Sequence, residues 1–329
     1  MSDSITDIFQ RFNSLRVLIV GDVMVDSYIR GNVDRISPEA PVPVLQVQKR
    51  ENRLGGAANV ALNIQTLGAE PLLCSVIGAD ASGEDFLQLM KSLNLNTAGI
   101  LTSTERVTTV KSRIMTGMHH MLRLDEEQDD VLSKDLQNRL YKKVCDLLSD
   151  CEVLIFEDYD KGVLTEELIQ AIIEQANTKQ IPVVVDPKKR NFLAYRGATL
   201  FKPNLKELRE GLNVHINEVN TANLKQAGDQ LLDAMQLKGC LLTLSEKGMY
   251  INFNKEEHYM PAMLRNIADV SGAGDTVVSV AALCVALKLS PKQILELSNL
   301  AGGLVCEFVG VVPIDKVRLL EEAQKLNLL

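Results

Sequence analysis

The run Asp269-Val-Ser-Gly-Ala-Gly-Asp275-Thr276 gathers residue types that can handle an anion. Gly272, Ala273 and Gly274 carry almost no side chain, so a ligand can approach their N–H groups closely. A strong apolar run follows. A helix starting here offers free amide donors and the positive end of its dipole to a phosphate. Asp275, in the first turn, would repel that phosphate unless it has another role. Taking a proton from an attacking hydroxyl is such a role. The alternative is a small-residue helix start with Asp275 as a stabilising first-turn acid, and the local sequence weighs the two evenly. No Gly-x-x-x-x-Gly-Lys-Ser/Thr run occurs, which excludes the ordinary P-loop. No Gly-x-Gly-x-x-Gly follows a strand, which weakens a dinucleotide reading.

A second glycine run, Gly55-Gly-Ala-Ala-Asn59-Val-Ala61, reads as a turn before a helix or as a sugar-contacting loop. With Gly55 and Gly56 beside Asn59, the loop is favoured, because an amide donates to one hydroxyl and accepts from another. Asp26 lies beyond the carboxyl end of an apolar run, where open α/β sheets bind ligands; Asp22 is evenly balanced between that role and none. Asn204 and Glu207 are spaced i, i+3, on one helix face. They read as an N-cap with its box partner, or as organisers of a magnesium ion through water. Lys161 and Lys188 are ordinary solvated lysines unless the substrate is anionic. Asp158 shares the loop of Lys161. His119, His120, His215 and His258 have no metal-cage spacing.

The elements that must position these residues follow from periodicity. Continuous apolar runs predict buried strands at 17–20, 72–77, 153–156, 182–185, 199–201 and 241–244. Helices are predicted over 57–67, 84–93, 134–148, 165–176, 221–235, 272–287, 291–308 and 314–326. Alternation of strand and helix predicts an α/β fold with a doubly wound, mostly parallel sheet flanked by helices. Segments 28–49 and 108–124 alternate in polarity with no helix attached. They are expected as extra antiparallel strands forming a small β lid. No linker or repeat divides the chain, so residues 1–329 read as one domain with the lid inserted.

The 329 residues carry 35 Lys+Arg against 43 Asp+Glu, a net charge of −8, which argues against a nucleic-acid partner. No stretch reaches the ~20 apolar residues of a membrane span, and residues 1–14 lack a signal pattern. A cytoplasmic protein is expected. The six cysteines form no C-x-x-C pair and read as free buried thiols.

The two glycine runs, in this order and far apart, resemble the two signatures of the ribokinase-like, or PfkB, carbohydrate kinases. The resemblance covers nearly the whole chain. It implies a kinase that uses ATP and Mg2+, with Asp275 as base and the amides of 272–274 on the transferred phosphoryl group. It implies sugar contacts at Asp22, Asp26, Gly55, Gly56 and Asn59, and a magnesium role for Asn204-Leu-Lys-Glu207. Thr243-Leu-Ser245-Glu-Lys-Gly248 resembles the nucleotide-side strand and turn, and Asn299 lies on the helix that flanks adenine in relatives. In some members a monovalent cation such as K+ sits near the position of Asp269. Lid strands pair two subunits in relatives, which implies a homodimer. Val277 departs from a common Phe, and Val270 and Ser271 stand where Thr is common.

Gly21-Asp-Val-Met, Ile36-Ser-Pro-Glu-Ala-Pro-Val-Pro-Val44, Asp158-Tyr-Asp-Lys-Gly162 and Asp186-Pro-Lys188 sharpen the resemblance towards bacterial heptose 7-phosphate kinases. That implies D-glycero-D-manno-heptose 7-phosphate as substrate and a place in ADP-heptose synthesis for lipopolysaccharide core. It implies sugar-side work for Asp158, Lys161 and Lys188. Such kinases are often fused to an adenylyltransferase, which is not expected in a chain of this length. Fructose, ribose or a phosphohexose remain as other substrates, as does a catalytically silent sensor on the same fold.

Overall fold

The computed structural model describes residues 4–328 apart from 118, 217 and 264. Its strands, in chain order, are β1 (Arg16–Gly21), β2 (Val23–Ile36), β3 (Pro43–Gly56), β4 (Glu70–Gly78), β5 (Ile100–Ser103), β6 (Val110–Thr116), β7 (His119–Glu126), β8 (Val153–Glu157), β9 (Val183–Asp186), β10 (Leu200–Phe201), β11 (Gly239–Thr243), β12 (Met249–Phe253) and β13 (Glu256–Met260). Its helices are α1 (Ile5–Arg11), α2 (Ala57–Thr66), α3 (Ala81–Ser92), α4 (Lys134–Leu148), α5 (Glu166–Thr178), α6 (Leu205–Leu212), α7 (Thr221–Met235), α8 (Ala273–Ala286), α9 (Pro291–Val305) and α10 (Lys316–Lys325).

The main sheet has the order β13-β12-β11-β10-β9-β8-β1-β4-β5. It is parallel from β11 to β5, and β12 and β13 close one end as an antiparallel hairpin. Strand residues alternate between two cores. Val17, Ile19, Ile155 and Val184 join α2, α8 and α9 on one face, while Leu18, Val20, Phe156, Val183 and Val185 join α4, α5 and α7 on the other. Both faces are covered, which is why these strands read as unbroken apolar runs rather than alternating ones.

The small sheet has the order β3-β2-β6-β7. Two parts of the sequence reading change here. The strands are longer than expected, since β2 starts at Val23 and β3 ends at Gly56. The sheet is also mixed rather than antiparallel. β2 pairs antiparallel with β3, and β6 with β7, but β2 and β6 run parallel. Each hairpin turns back on itself, and the two are joined through strands that leave the main sheet in the same direction. His119 and His120 are exposed on β7.

Helix termini account for several boundaries. Ser133, Thr165, Asn220 and Ser290 each accept a backbone N–H as N-cap, and Pro291 fills the first turn of α9. Cys74, Cys151, Cys240 and Cys284 are buried thiols, whereas Cys145 and Cys306 are half-buried.

Candidate active site

Helix α8 starts at Gly272, whose φ of +80° is the left-handed conformation that glycine adopts without penalty. The N–H of Ala273 donates to Val270 O at 3.3 Å and that of Thr276 to Gly272 O at 3.0 Å. The amides of Gly272, Gly274 and Asp275 have no acceptor among the described residues, so Ala273 drops out of the expected donor set and the Asp275 amide enters it. Asp275 is buried behind them. Its Oδ2 accepts the Asn59 amide at 2.6 Å and its Oδ1 accepts the Tyr159 hydroxyl at 2.8 Å. Burial pushes its pKa up to about 6, against those two hydrogen bonds, which favour the carboxylate. Each oxygen keeps a further lone pair for a substrate proton.

Asn59 reaches Asp275 because α2 begins where the small sheet ends. Gly56 has φ +60° and ψ −137°, and a Cβ there would press on the Asp22 carbonyl. A Cβ on Gly55 would run into the Asp26 carboxylate. The glycine pair therefore lets Asp26 lie against the chain on its way into α2. Asp26 is buried and ion-paired with Arg113. Asn63, one turn beyond Asn59, accepts from Thr276 Oγ1 at 3.1 Å and from Ile314 N at 2.9 Å, which locks α2 to α8.

Three strands end at the same place. Glu157 closes β8, Asp186 closes β9, and Lys202 follows β10. Glu157, Asp186 and Asp275 each bring a carboxylate oxygen within 4.8 Å of the others. Lys202 Nζ sits 2.9 Å from Asp186 Oδ2, both side chains being nearly inaccessible. Both oxygens of Glu157 and one of Asp186 accept no hydrogen bond, although Lys188 Nζ stands 3.9 Å from that Asp186 oxygen. Burial, then Asp186 and Asp275, hold the Glu157 carboxyl well above the usual range. Burial likewise keeps Tyr159 a protonated phenol. Lys188 Nζ lies 3.3 Å from Glu207 and over the Tyr159 ring at 4.9 Å. Burial works against its charge, but Asp186, Glu207 and Glu157 raise its pKa above the ordinary lysine value.

The structure gives several expected ligand residues other work. Asp22 accepts the backbone N–H groups of Tyr159 (2.8 Å), Lys161 (3.2 Å) and Val163 (3.1 Å). Asp158 accepts from Tyr195 Oη (2.7 Å), Asn191 Nδ2 (3.0 Å) and Asp160 N (2.8 Å). With three donors each, the two acids hold the 158–163 loop in shape. Burial, then the neighbouring Asp158, pushes Asp22 up to about 6. Lys161 Nζ is paired with Glu127 at 3.0 Å. Asn204 and Glu207 form the reciprocal capping box of α6, at 2.9 and 2.8 Å. The unpartnered oxygens lie at Glu157 and Asp186 instead. Asp269 accepts from Ser271 N (3.0 Å), Ser271 Oγ (2.9 Å) and Gly310 N (2.9 Å), and these hold its pKa low despite burial.

On the other flank, Thr243 ends β11 and bridges to Asn204, and Ser245 is exposed at φ +56°. Gly248 turns the chain at φ +89° into β12. Asn299 donates to Pro261 O at 3.0 Å, so that amide is already engaged.

Tyr159, Glu157, Asp186 and Lys202 were not singled out from the sequence as catalytic or binding candidates. A signal existed for three of them: a charged residue directly ends a continuous apolar run.

The profile of the pfkB family carbohydrate kinases matches residues 14–316. The chain belongs to the pfkB family of carbohydrate kinases. Among curated relatives, the kinase is similar to the "Bifunctional protein HldE" of Methylobacillus flagellatus, at 41% identity over 309 residues, 94% of this chain and 63% of that one. It is 39% identical over 295 residues to the protein of the same name from Helicobacter pylori, 90% of this chain and 64% of that one. The kinase thus spans under two thirds of the length of these relatives. Its fold resembles phosphofructokinase-2 from Escherichia coli, solved with potassium, with a TM-score of 0.80, 19% identity, and 95% and 99% of the two chains covered. It also resembles Arabidopsis thaliana ribokinase, solved with ribose and ATP, with a TM-score of 0.72, 14% identity, and 93% and 99% covered.

Proposed function

We propose that this kinase transfers the γ-phosphoryl group of ATP to the anomeric hydroxyl of D-glycero-D-manno-heptose 7-phosphate. The product is the 1,7-bisphosphate, on the route to ADP-heptose for lipopolysaccharide core. The observation that carries the chemistry is the buried Asp275 carboxylate, fixed by Asn59 and Tyr159 directly behind the unpartnered amides of a helix N-terminus. The substrate reading rests on the motifs that resemble heptose 7-phosphate kinases and on the similarity to the bifunctional HldE proteins.

In the reaction, the acceptor oxygen bonds to the γ-phosphorus as its proton passes to Asp275. The bond from that phosphorus to the bridging oxygen breaks, and ADP leaves. The amides of Gly272, Gly274 and Asp275, with the helix dipole, hold charge on the transferred group. Tyr159 and Asn59 keep the carboxylate oriented. Lys188, held positive by three acids, adds fixed positive charge beside it. The oxygens of Glu157 and Asp186 that accept no hydrogen bond, with Glu207 and Asn204 nearby, are an all-oxygen donor set that suits Mg2+. That ion would neutralise phosphate oxygens when bound. Asp269 is the position for a monovalent cation such as K+, and the small sheet acts as a lid that excludes water. Exposed Leu122 and Leu124 on β7 support pairing of two copies through that sheet. No helix among the described residues is long and apolar enough to cross a membrane, and a cytoplasmic enzyme fits the nucleotide requirement.

The test is a coupled ADP-release screen across sugars and sugar phosphates. Turnover on heptose 7-phosphate above all others is expected. Activity on a simple hexose with none on heptose 7-phosphate rejects the substrate, and binding without ADP release from any sugar rejects the kinase.

A further inference from the structure

The small sheet is not evenly charged. Asp26, Tyr28 and Arg30 alternate along β2 and so share one face. Their register partners bring Arg53 and Glu51 from β3 and Arg113 from β6 onto that face. The guanidinium carbons of Arg53, Arg113 and Arg30 lie 4.9, 5.3 and 5.9 Å from the centre of the buried Tyr28 ring. Arg123 of β7, directly across from Arg113, is exposed and pairs with Asp125 at 2.9 Å, so it stands outside the cluster.

The carboxylates present do not balance these cations. Asp26 takes Arg113, and Glu51 is shared by Arg53 (2.6 Å) and Lys49 (2.6 Å). Arg30 has no carboxylate partner among the described residues. Lys49 lies in solvent, so the three arginines against Asp26 and Glu51 leave a surplus of about one positive charge, with Arg53 and Arg113 mostly withdrawn from water. The Tyr28 ring face offsets part of the cost, but a ring quadrupole does not replace a counter-ion.

The cluster touches the reaction centre through a short strap. Arg53 Nη1 donates to Val311 O at 3.0 Å, and Tyr28 Oη accepts from Val311 N at 3.3 Å. Gly310, the preceding residue, donates to Asp269, just upstream of Gly272. The nucleotide-side turn after β11 is four strand positions away from β1, from which β2 directly continues. At strand spacing that is about 19 Å. An anion at the arginines therefore lies on the sugar side of the reaction centre, away from the nucleotide-side turn.

We propose that Arg30, Arg53 and Arg113, arranged around Tyr28, form the cradle for a phosphomonoester carried by the sugar substrate. The ligand class is a sugar phosphate dianion, and planar guanidinium forks match its oxygens. This rests on the sugar-phosphate kinase reading above and names the residues that select the substrate's far end. Asp26 then serves twice, since it orients Arg113 and leaves its remaining lone pairs to a sugar hydroxyl.

The test compares heptose 7-phosphate with heptose lacking the phosphate, in the parent protein and in Arg30→Gln and Arg53→Lys. KM for heptose 7-phosphate is expected to rise about 10–100-fold in each variant, the range for a lost charge-assisted contact. KM for the unphosphorylated heptose and for ATP should shift by less than about threefold, because the lost partner is the sugar's phosphate. In the unaltered protein, inorganic phosphate should compete with heptose 7-phosphate and not with ATP, a readout that needs no variant. Equal KM shifts for both sugars, or phosphate competing only with ATP, overturn the cradle. If heptose 7-phosphate is turned over and the variants match the parent, the cradle alone falls. If no sugar phosphate releases ADP, the kinase reading falls with it.

Discussion

The two sheets share strands that run into one another, yet they follow opposite rules. The main sheet is covered on both faces, and its central strands β1, β8 and β9 are almost entirely inaccessible. The small sheet buries the start of β2 and leaves β7 exposed along its whole length. In the first, a side chain is constrained by volume. In the second, it is constrained by charge and by which face it occupies. The candidate site lies where the regimes meet, with Asp275 on a helix packed against the main sheet and the arginines on the small one.

The largest effect that would test this division is catalytic. Asp275→Asn should keep the fold and lower kcat about 10²–10⁴-fold, the usual contribution of a general base, measured by ADP release at saturating substrates. Near-normal turnover would remove the base from the buried half of the site. Next comes packing. Ile19→Ala, at a fully buried position in β1, should cost about 2–5 kcal/mol in urea unfolding. A loss below about 1 kcal/mol would show that the main sheet tolerates cavities, contrary to its burial.

A smaller effect concerns the hydroxyl of Tyr159. With the Asp275 pKa at about 6, the base is protonated and idle below that pH. The kcat/KM should therefore rise with unit slope up to about pH 6 and level off above it. The Tyr159 hydrogen bond favours the carboxylate, so Tyr159→Phe should move this acid limb to higher pH. Activity at about pH 6 should drop about tenfold or less and recover by about pH 8. An unmoved limb with uniformly lower activity would mean that Tyr159 acts only through packing. The smallest effect belongs to the exposed sheet. Leu122→Ser, at 53% exposure, should change stability by no more than about 0.5 kcal/mol. If two copies pair through this sheet, sedimentation should nevertheless show the dimer weakening, which separates association from folding.

The same contrast explains what could be read from the sequence. Runs such as Val17–Val20 and Val153–Phe156 were legible because burial on both faces removes polar residues. Helices α4 and α7 were legible to their ends because an amphipathic stripe has caps beside it. Strand β5 is four residues on a half-exposed edge, and β13 is Glu256-Glu-His-Tyr-Met260, so neither has an apolar signature. Helix α6 has a single buried residue, Leu208. In the site, the Gly-Ala-Gly-Asp run announced Asp275 because its neighbours in sequence are its neighbours in space. Glu157, Asp186 and Lys202 converge only through the strand order, which no local spacing encodes. Asp22 and Asp158 were candidate ligands by position, but nearby backbone and side-chain donors engage both oxygens of each.

The place of β1 in the strand order has a consequence for how the protein is made. Val17 pairs with Pro71 on one side and with Val153 on the other. During synthesis the first strand therefore emerges long before its second neighbour. At ~5–20 residues per second, roughly 10–50 s separate the appearance of Asp22 from that of Asp275. For the first part of that interval the nascent chain carries an apolar strand with an open edge, and Asp275 has not yet been made. Until Val153–Glu157 has emerged to pair with it, Val17–Val20 is a natural handle for chaperones.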